Sequence, residues 1–220
     1  MEKLKVNKVL KPNIFYDEKE PYHDERFEKI LTRCTFDSGE HHVLCIIAGC
    51  SGSGKSYFEK QLVETYPEYF NKLPQVTTRK RRVENEKGYY FIGEDTYRYM
   101  EESLIARLGS FSGSKYGTIP VFENGKINTV IVSYDAIEDL FELIDSEKLI
   151  IIPIMILFDI KDENISKDGK RNDRDSSFLE KERTELLNVF EKYKGSCIFS
   201  KIYRYEDYGR FAELSDIIEI

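Results

Sequence analysis

The chain has 220 residues, of which 40% are hydrophobic and 33% are charged, the balance of a folded rather than a disordered protein. Its formal net charge of −7 argues against a protein that coats nucleic acid, and no apolar run reaches the length of a membrane-spanning helix. The four cysteines form no C-x-x-C pair, so the sequence predicts neither a zinc site nor a disulfide framework. Because the N-terminus lacks the apolar core of a signal peptide, we expect a cytoplasmic protein.

Residues 1–40 come before the first predicted core strand, and we interpret them as an N-terminal extension. The segment is rich in charge and carries one predicted short helix from Asp24 to Thr32. It could pack on the domain, mediate self-association into a homo-oligomer or stay loose, and the sequence leaves these alternatives open.

An apolar run from His42 to Ala48 predicts a buried strand that leads directly into a glycine-rich segment. This segment has the pattern G-x-x-x-x-G-K-S of a phosphate-binding P-loop, formed by Gly49, Cys50, Ser51, Gly52, Ser53, Gly54, Lys55 and Ser56. The backbone amides of such a loop hold phosphate oxygens, the lysine places a charge on the β- and γ-phosphates, and the serine hydroxyl can join the coordination shell of Mg²⁺. A predicted helix follows the loop and ends before Pro67. We therefore predict nucleotide binding at this loop, with Ser56 as a ligand of the metal.

The middle of the chain is predicted to form short elements. Leu73 to Thr77 and Tyr89 to Ile92 are strand candidates, on either side of a polar, basic stretch from Thr78 to Lys87. Asp95 to Arg107 has the composition of a helix, with apolar residues on one face. Ser110 to Thr118 is predicted to form short strands and turns around a pocket.

The rest of the chain alternates between apolar strands and helices. The predicted elements are a strand at Thr129–Ser133, a helix at Ala136–Asp145, a strand at Leu149–Phe158, a polar connector at Asp159–Ser177, a helix to about Lys194, a strand at Ser196–Lys201 and a helix from Glu206. Strands that are apolar on both faces and alternate with helices indicate a parallel sheet between helices. We predict an α/β protein with the three-layer P-loop fold.

A basic cluster follows the second predicted strand, in the segment Thr77-Thr78-Arg79-Lys80-Arg81-Arg82. Arginine side chains match phosphate oxygens with two parallel hydrogen bonds, and a tyrosine hydroxyl can donate to the same group. A second phosphate site is one interpretation of this cluster. A solvated basic turn is the alternative.

The order of these motifs resembles that of the guanylate kinases. The P-loop is followed by T-T-R-x-x-R, then by an approximate G-x-Y-x-F segment at Gly88–Phe91, then by Y-G-T at Tyr116–Thr118. The similarity runs from about Val43 to Thr118 and more loosely to the C-terminus. It implies a guanylate-kinase-like domain over residues 41–220, with a nucleoside monophosphate (NMP)-binding insert at 78–125 and a lid at 160–178.

The resemblance also implies roles for individual side chains. The phosphate of the acceptor nucleotide would be held by Arg79, Arg82, Tyr89 and Tyr116. Thr118 would contact the acceptor base. Arg171 and Arg174, in the lid, would reach the transferring phosphates and act in catalysis together with Lys55.

Several positions depart from the family pattern. Gln75 stands where the family usually has a serine, and the family's base-reading glutamate falls at Ala106 or Arg107, neither of which is acidic. Of the family's D-x-D-like segment only Asp135 remains, and the helix after Y-G-T looks missing because six residues separate that motif from Gly125. Losing a carboxylate that accepts from guanine weakens guanine selection, so we expect looser base discrimination, with Gln75 and Asp135 as candidates for base contact in addition to Thr118.

The resemblance and the motifs together favour an ATP-dependent nucleoside monophosphate kinase that uses Mg²⁺. Its acceptor would be an NMP or dNMP, with GMP or dGMP as the first expectation. Two alternatives stay open: a P-loop kinase that acts on another phosphorylated acceptor, and a binding module of the same fold that has lost nucleotide chemistry.

Overall fold

The computed structural model describes residues 41–84, 86–109, 113–145, 151–159 and 176–204. The N-terminal extension with its predicted helix, the two lid arginines Arg171 and Arg174, most of the predicted lid and the last predicted helix lie outside the described residues.

The described residues contain nine strands and four helices. The strands are β1 (His42–Gly49), β2 (Phe70–Lys72), β3 (Gln75–Thr77), β4 (Tyr90–Phe91), β5 (Ile105–Gly109), β6 (Lys115–Thr118), β7 (Ile127–Val132), β8 (Ile151–Phe158) and β9 (Phe199–Tyr203). The helices are α1 (Lys55–Thr65), α2 (Glu94–Met100), α3 (Tyr134–Asp145) and α4 (Ser176–Tyr193), and short 3-10 turns follow α2 and α4. Two compact units are formed, one by residues 41–72, 123–138, 151–159 and 176–204 (the P-loop unit) and one by the described residues of 73–122 and 139–145 (the small-sheet unit).

The P-loop unit is built on a five-stranded sheet with the order β2-β7-β1-β8-β9. All of its neighbouring strands run parallel, with Ala48 of β1 opposite Val132 of β7 and Gly49 opposite Phe158 of β8. The predicted α/β fold with a central parallel sheet is confirmed. Because β1 is the middle strand, the loop that follows it leaves the carboxyl edge of the sheet at its centre.

The core of this unit joins α1 to the sheet. Phe58 of α1 is 1% exposed and meets the ring of Phe158 edge-on, with 5.2 Å between the ring centroids. Glu59 is equally buried, and its carboxylate accepts a hydrogen bond from the Thr129 hydroxyl at 3.1 Å and forms an ion pair with Lys72. A buried carboxylate needs such partners, so this group fixes α1 against β7 and β2.

The small-sheet unit has a four-stranded sheet with the order β4-β3-β6-β5. Strands β3 and β4 are parallel, whereas β6 runs antiparallel to both β3 and β5. Helix α2 covers an apolar cluster that consists of Val76, Ile92, Tyr97, Met100, Leu104 and Ile119. The buried Tyr97 hydroxyl donates to the carbonyl oxygen of Tyr116 at 2.8 Å, which fixes strand β6 from the helix side.

The predicted helix from Asp95 to Arg107 is wrong in its second half. Helix α2 ends at Met100, a 3-10 turn follows, and strand β5 begins at Ile105. Ala106 has a φ of 50°, and the register with β6 shifts at this point. A non-glycine residue in the left-handed region interrupts a helix, so pairing with β6 overrides the helical composition of the segment.

The other predicted strands and helices within the described residues are present with shifted ends, while strand β2 was not predicted. Between Thr118 and Ile127 the structure forms no helix, in agreement with the short spacing noted in the sequence. Among the described helices, none is both long and apolar enough to cross a membrane.

Candidate functional site

The P-loop connects the end of β1 to the start of α1 through backbone conformations that favour glycine. Gly52 and Gly54 both have a φ of 90°, and Gly49 has a φ of 150°. A Cβ atom at Gly49 would lie 2.7 Å from the Ser53 Oγ atom and 2.8 Å from the Phe158 Cβ atom. Only glycine therefore lets the chain turn at this point against strand β8.

The N-terminus of α1 is suited to an anion. Its N-cap residue is Gly54, which supplies no side-chain cap, and the first helical turn contains no acidic residue. The backbone N–H groups there have no intrahelical acceptor, and the helix dipole adds positive potential. Phosphate groups bind at such termini in P-loop proteins.

Lys55 reaches over the loop that precedes it. Its Nζ atom donates to the carbonyl oxygens of Gly49 and Cys50, each at 2.6 Å. The ammonium group is thus held by the loop rather than in the hydrophobic core. A nucleotide phosphate would compete with these two carbonyl oxygens for the ammonium protons.

Ser56 lies exposed in the first turn of α1, where its hydroxyl can supply one oxygen ligand. Within the described residues, no group of three or more His, Cys, Asp or Glu side chains could hold a metal ion by itself. Mg²⁺ prefers oxygen ligands and is commonly held by one or two protein groups together with phosphates and water. The single hydroxyl oxygen of Ser56 fits that mode of binding.

Two contacts that the sequence did not reveal join the P-loop unit's helix α4 to the loop and to β8. The Cys50 thiol is 2% exposed and lies 3.7 Å from the carbonyl oxygen of Leu179, and burial raises its pKa to about 12. Asp159 follows β8 directly and binds the Arg183 guanidinium through two hydrogen bonds, one of them 3.2 Å long. That hydrogen bonding raises the pKa of Arg183. The only sequence signal for this pair was an aspartate placed immediately after an apolar strand.

Asp135 lies in the first turn of α3 in the P-loop unit and is exposed. Partial desolvation, followed by the like charges of Glu138 and Glu185, raises the pKa of its carboxyl group. Both charged groups that shift the pKa of Asp135 are thus acidic. The contact of Asp135 with an acceptor base stays a prediction.

In the small-sheet unit, three of the four side chains predicted to hold the acceptor phosphate lie together. The Arg79 guanidinium carbon is 5.9 Å from the centre of the Tyr89 ring and 5.3 Å from that of Phe91. The Tyr89 and Tyr116 rings meet edge-on with 5.8 Å between their centroids. The fourth residue, Arg82, is exposed.

Glu86 lies within this basic cluster and was not singled out in the sequence. Its carboxylate accepts from Arg79 Nη1 at 3.1 Å and Nη2 at 2.9 Å, and from the backbone N–H of Arg82 at 2.7 Å. The hydrogen bonds from Arg79 lower the pKa of Glu86, and the same pairing raises the pKa of Arg79. An acidic residue in a run of basic ones was the available signal.

Gln75 and Thr118 are cross-strand neighbours in β3 and β6, and they share a face with Tyr116. The Gln75 Nε2 atom is 3.5 Å from the Thr118 Oγ1 atom, which is a long hydrogen bond. Between Tyr116 and Thr118, a Cβ atom at Gly117 would lie 2.7 Å from the Leu104 Cδ1 atom, so the close approach of Leu104 favours glycine there. The acceptor-base roles of Gln75 and Thr118 stay predictions.

The two positions where a base-reading glutamate was expected have other roles in this unit. Ala106 is 5% exposed at the bulge in β5. Arg107 binds Asp139 through its Nη2 atom at 2.8 Å and through its backbone N–H at 3.0 Å. An ion pair thus stands where the family pattern has a carboxylate.

Comparison with known proteins places these motifs in one family. The sequence model described as guanylate kinase matches residues 41–207. The chain is 32% identical over 77 residues to a guanylate kinase of Prochlorococcus marinus and 33% identical over 78 residues to one of Geobacter metallireducens. Each match covers 34% of this chain, and the chain spans 41% and 38% of the length of these two relatives.

The solved structures matched by comparison with this chain have low sequence identity to it. A guanylate kinase from Anaplasma phagocytophilum is 13% identical with a TM-score of 0.47, and covers 81% of this chain and 85% of its own. The SH3-kinase fragment of tight junction protein 3 is 14% identical with a TM-score of 0.34, and covers 81% and 56%. The family match is independent of these two structures and includes both the P-loop and the Arg79 cluster. Because it extends over most of the sequence, the chain belongs to the guanylate kinase family.

Proposed function

We propose that the protein is an ATP-dependent nucleoside monophosphate kinase of the cytoplasm. It transfers the γ-phosphoryl group of ATP to an NMP or dNMP, with GMP or dGMP as the first expectation. The observation that carries this proposal is the P-loop, whose lysine ammonium lies within 2.6 Å of two loop carbonyl oxygens at a helix N-terminus free of acidic residues. The arginine–tyrosine cluster of the small-sheet unit supports a second phosphate site.

Phosphoryl transfer between phosphates depends on positioning and charge stabilisation rather than on covalent catalysis. The loop amides and Lys55 bind the ATP phosphates and stabilise charge that develops on the transferring group. Mg²⁺, when bound near Ser56, supplies further neutralising charge. Arg79 and Arg82 hold the acceptor phosphate. Arg171 and Arg174 complete the proposed charge stabilisation from the lid.

Base selection follows from the side chains on the acceptor face. Gln75 and Thr118 offer an amide and a hydroxyl, which can both donate and accept. Guanine presents N–H donors at its Watson–Crick edge, and a neutral acceptor binds these less strongly than a carboxylate does. Discrimination between bases is therefore looser than in a kinase with an acidic base contact, with Asp135 as the proposed source of a remaining guanine preference.

A kinase for another phosphorylated acceptor is the second candidate. The observation that favours it is the Arg107–Asp139 ion pair, which occupies the sequence position of the family's base-reading acid. A binding module without nucleotide chemistry is disfavoured, because the lysine and serine of the P-loop are both present.

The test is an assay of ADP release from ATP and Mg²⁺ with the common NMPs and dNMPs as acceptors. We expect turnover with at least one of them and the highest kcat/KM with GMP or dGMP. Turnover with none of them, while a sugar phosphate or a polynucleotide end is phosphorylated, would establish the second candidate instead. The Lys55→Ala variant controls for contaminating kinases.

A further inference from the structure

The basic cluster of the small-sheet unit contains its own anion. Five cationic side chains lie within nine residues, at Arg79, Lys80, Arg81, Arg82 and Lys87. Glu86 is positioned among them by the backbone as well as by charge, since its own carbonyl oxygen accepts from Arg81 Nη1 at 3.0 Å. Its carboxylate thereby faces the arginine that the proposed function assigns to the acceptor phosphate.

The Glu86 carboxylate binds Arg79 as a phosphate would. Two parallel N–H···O bonds of 3.1 and 2.9 Å join its oxygens to the Nη1 and Nη2 atoms, and the Arg82 N–H adds a third at 2.7 Å. Both carboxylates and phosphates have the geometry to accept bidentate hydrogen bonds from arginine. The side chains are only 13% and 18% exposed, so solvent and salt screen their attraction weakly.

Arg79 has no second edge to offer to a ligand. Its Nε atom is buried, and no described residue accepts a hydrogen bond from it. The guanidinium plane lies against Tyr89 and Phe91, which limits rotation of the group. An incoming phosphate can therefore reach Arg79 only at the Nη1 and Nη2 end, which Glu86 occupies.

We propose that Glu86 is an internal anion that occupies Arg79 in the ligand-free protein and is displaced by the acceptor phosphate. The inference rests on the proposed function of this site. A carboxylate and a phosphate dianion cannot share the same two N–H groups, and a carboxylate that stayed beside the dianion would repel it. Acceptor binding is then an exchange of anions at Arg79. Before the acceptor arrives, Glu86 keeps the cluster ordered. Because Glu86 must be displaced, it also lowers the affinity of the cluster for the acceptor.

The test compares Glu86→Gln with Glu84→Gln. Glutamine keeps the size of Glu86 but removes the charge that competes with phosphate. Glu84 is exposed and lies in the same loop, so its substitution makes the same change in net charge without touching Arg79. GMP binding is measured by calorimetry with saturating ADP and Mg²⁺ to fill the P-loop. We expect the Kd for GMP to fall about fivefold in Glu86→Gln and to change less than about twofold in Glu84→Gln.

Three results would overturn the inference. Weaker GMP binding in Glu86→Gln would mean that Glu86 stays in the complex and orients Arg79. Equal changes in both variants would mean that only overall charge matters. Absence of binding of every NMP and dNMP, GMP included, to both the wild type and Glu86→Gln would remove the acceptor site itself, and with it the proposed function.

A measurement on the wild type covers the case in which Glu86→Gln does not fold. In protein labelled with ¹³C at glutamate carboxyl groups, the Glu86 signal should move to the shift of a solvent-exposed glutamate as GMP is added. A signal that stays in place at saturating GMP contradicts displacement. The phosphoryl-transfer assay separates the proposed kinase function from the proposed exchange of anions. If the protein transfers phosphate while the Glu86 signal stays in place, the function holds and only the exchange is refuted.

Discussion

Replacing Arg183 by alanine should destabilise the P-loop unit, because it leaves the Asp159 carboxylate without its main partner. Asp159 is 9% exposed at the end of β8, while Arg183 is 21% exposed on α4. Breaking a fully buried ion pair costs about 3–5 kcal/mol. The partial exposure of Arg183, and the Arg204 Nε atom that remains 4.0 Å from Asp159, reduce this to about 2 kcal/mol in the free energy of unfolding.

Urea unfolding followed by circular dichroism measures this loss. Lys60→Ala is the matched control, since the Lys60–Glu64 pair of the same unit is well exposed, and its removal should cost less than about 0.5 kcal/mol. Adding Asp159→Asn to Arg183→Ala should recover about 1 kcal/mol, because the unpaired charge is then gone. A loss in Arg183→Ala no larger than that in Lys60→Ala, or no recovery in the double variant, would refute the assignment of a stabilising role to this pair.

Four further predictions concern the two proposed phosphate sites, the acceptor base contact and the Arg79–Glu86 pair. Lys55→Ala should lower kcat for ADP formation by about a hundredfold or more with an unchanged circular dichroism spectrum, and near-normal turnover would contradict a catalytic P-loop. Arg79→Ala or Arg82→Ala should raise the KM for the monophosphate about tenfold with little change in the KM for ATP, and equal effects on both substrates would remove these arginines from the acceptor site. Asp135→Asn should reduce the ratio of kcat/KM for GMP to that for other NMPs, and an unaltered ratio would exclude a base contact. Arg79 lowers the pKa of Glu86 in the folded protein, so the stabilisation from this pair is present above the ordinary carboxyl pKa and is lost as pH falls through the lower folded-state value. Glu86→Gln should therefore flatten the acid side of a curve of unfolding free energy against pH. An unchanged curve would contradict the pairing.

Features encoded by neighbouring residues could be predicted from the sequence. Strand β1, the P-loop and helix α1 follow one another without interruption, so an apolar run, a spaced motif and a helical repeat were enough to predict a buried strand, a phosphate-binding loop with Lys55 and a helix behind it. The central place of β1 in the sheet came only from the structure. The alternation of buried strands and helices likewise predicted the parallel sheet. In each case the determining interactions lie within one or two elements.

Features that depend on distant contacts could not be predicted in this way. Strand β5 has a composition compatible with a helix, and only its pairing with β6 and the bond of Arg107 to Asp139, 32 residues away, decide the outcome. The role of Glu86 depends on the fold of a turn that brings it back to Arg79. Asp159 and Arg183 are likewise 24 residues apart, and no spacing rule connects them.

Because the Cys50 thiol is buried, its reaction with a thiol reagent can be used to follow motion of the P-loop. At a pKa of about 12 the thiol carries almost no thiolate at neutral pH, and its contact with Leu179 shields it from reagents. Alkylation at this position therefore requires a transient opening of the loop, and its rate reports how often that opening occurs. The chain thus carries, inside its proposed ATP site, a native thiol whose modification, read by mass spectrometry at Cys50, measures the local stability of the loop at that position.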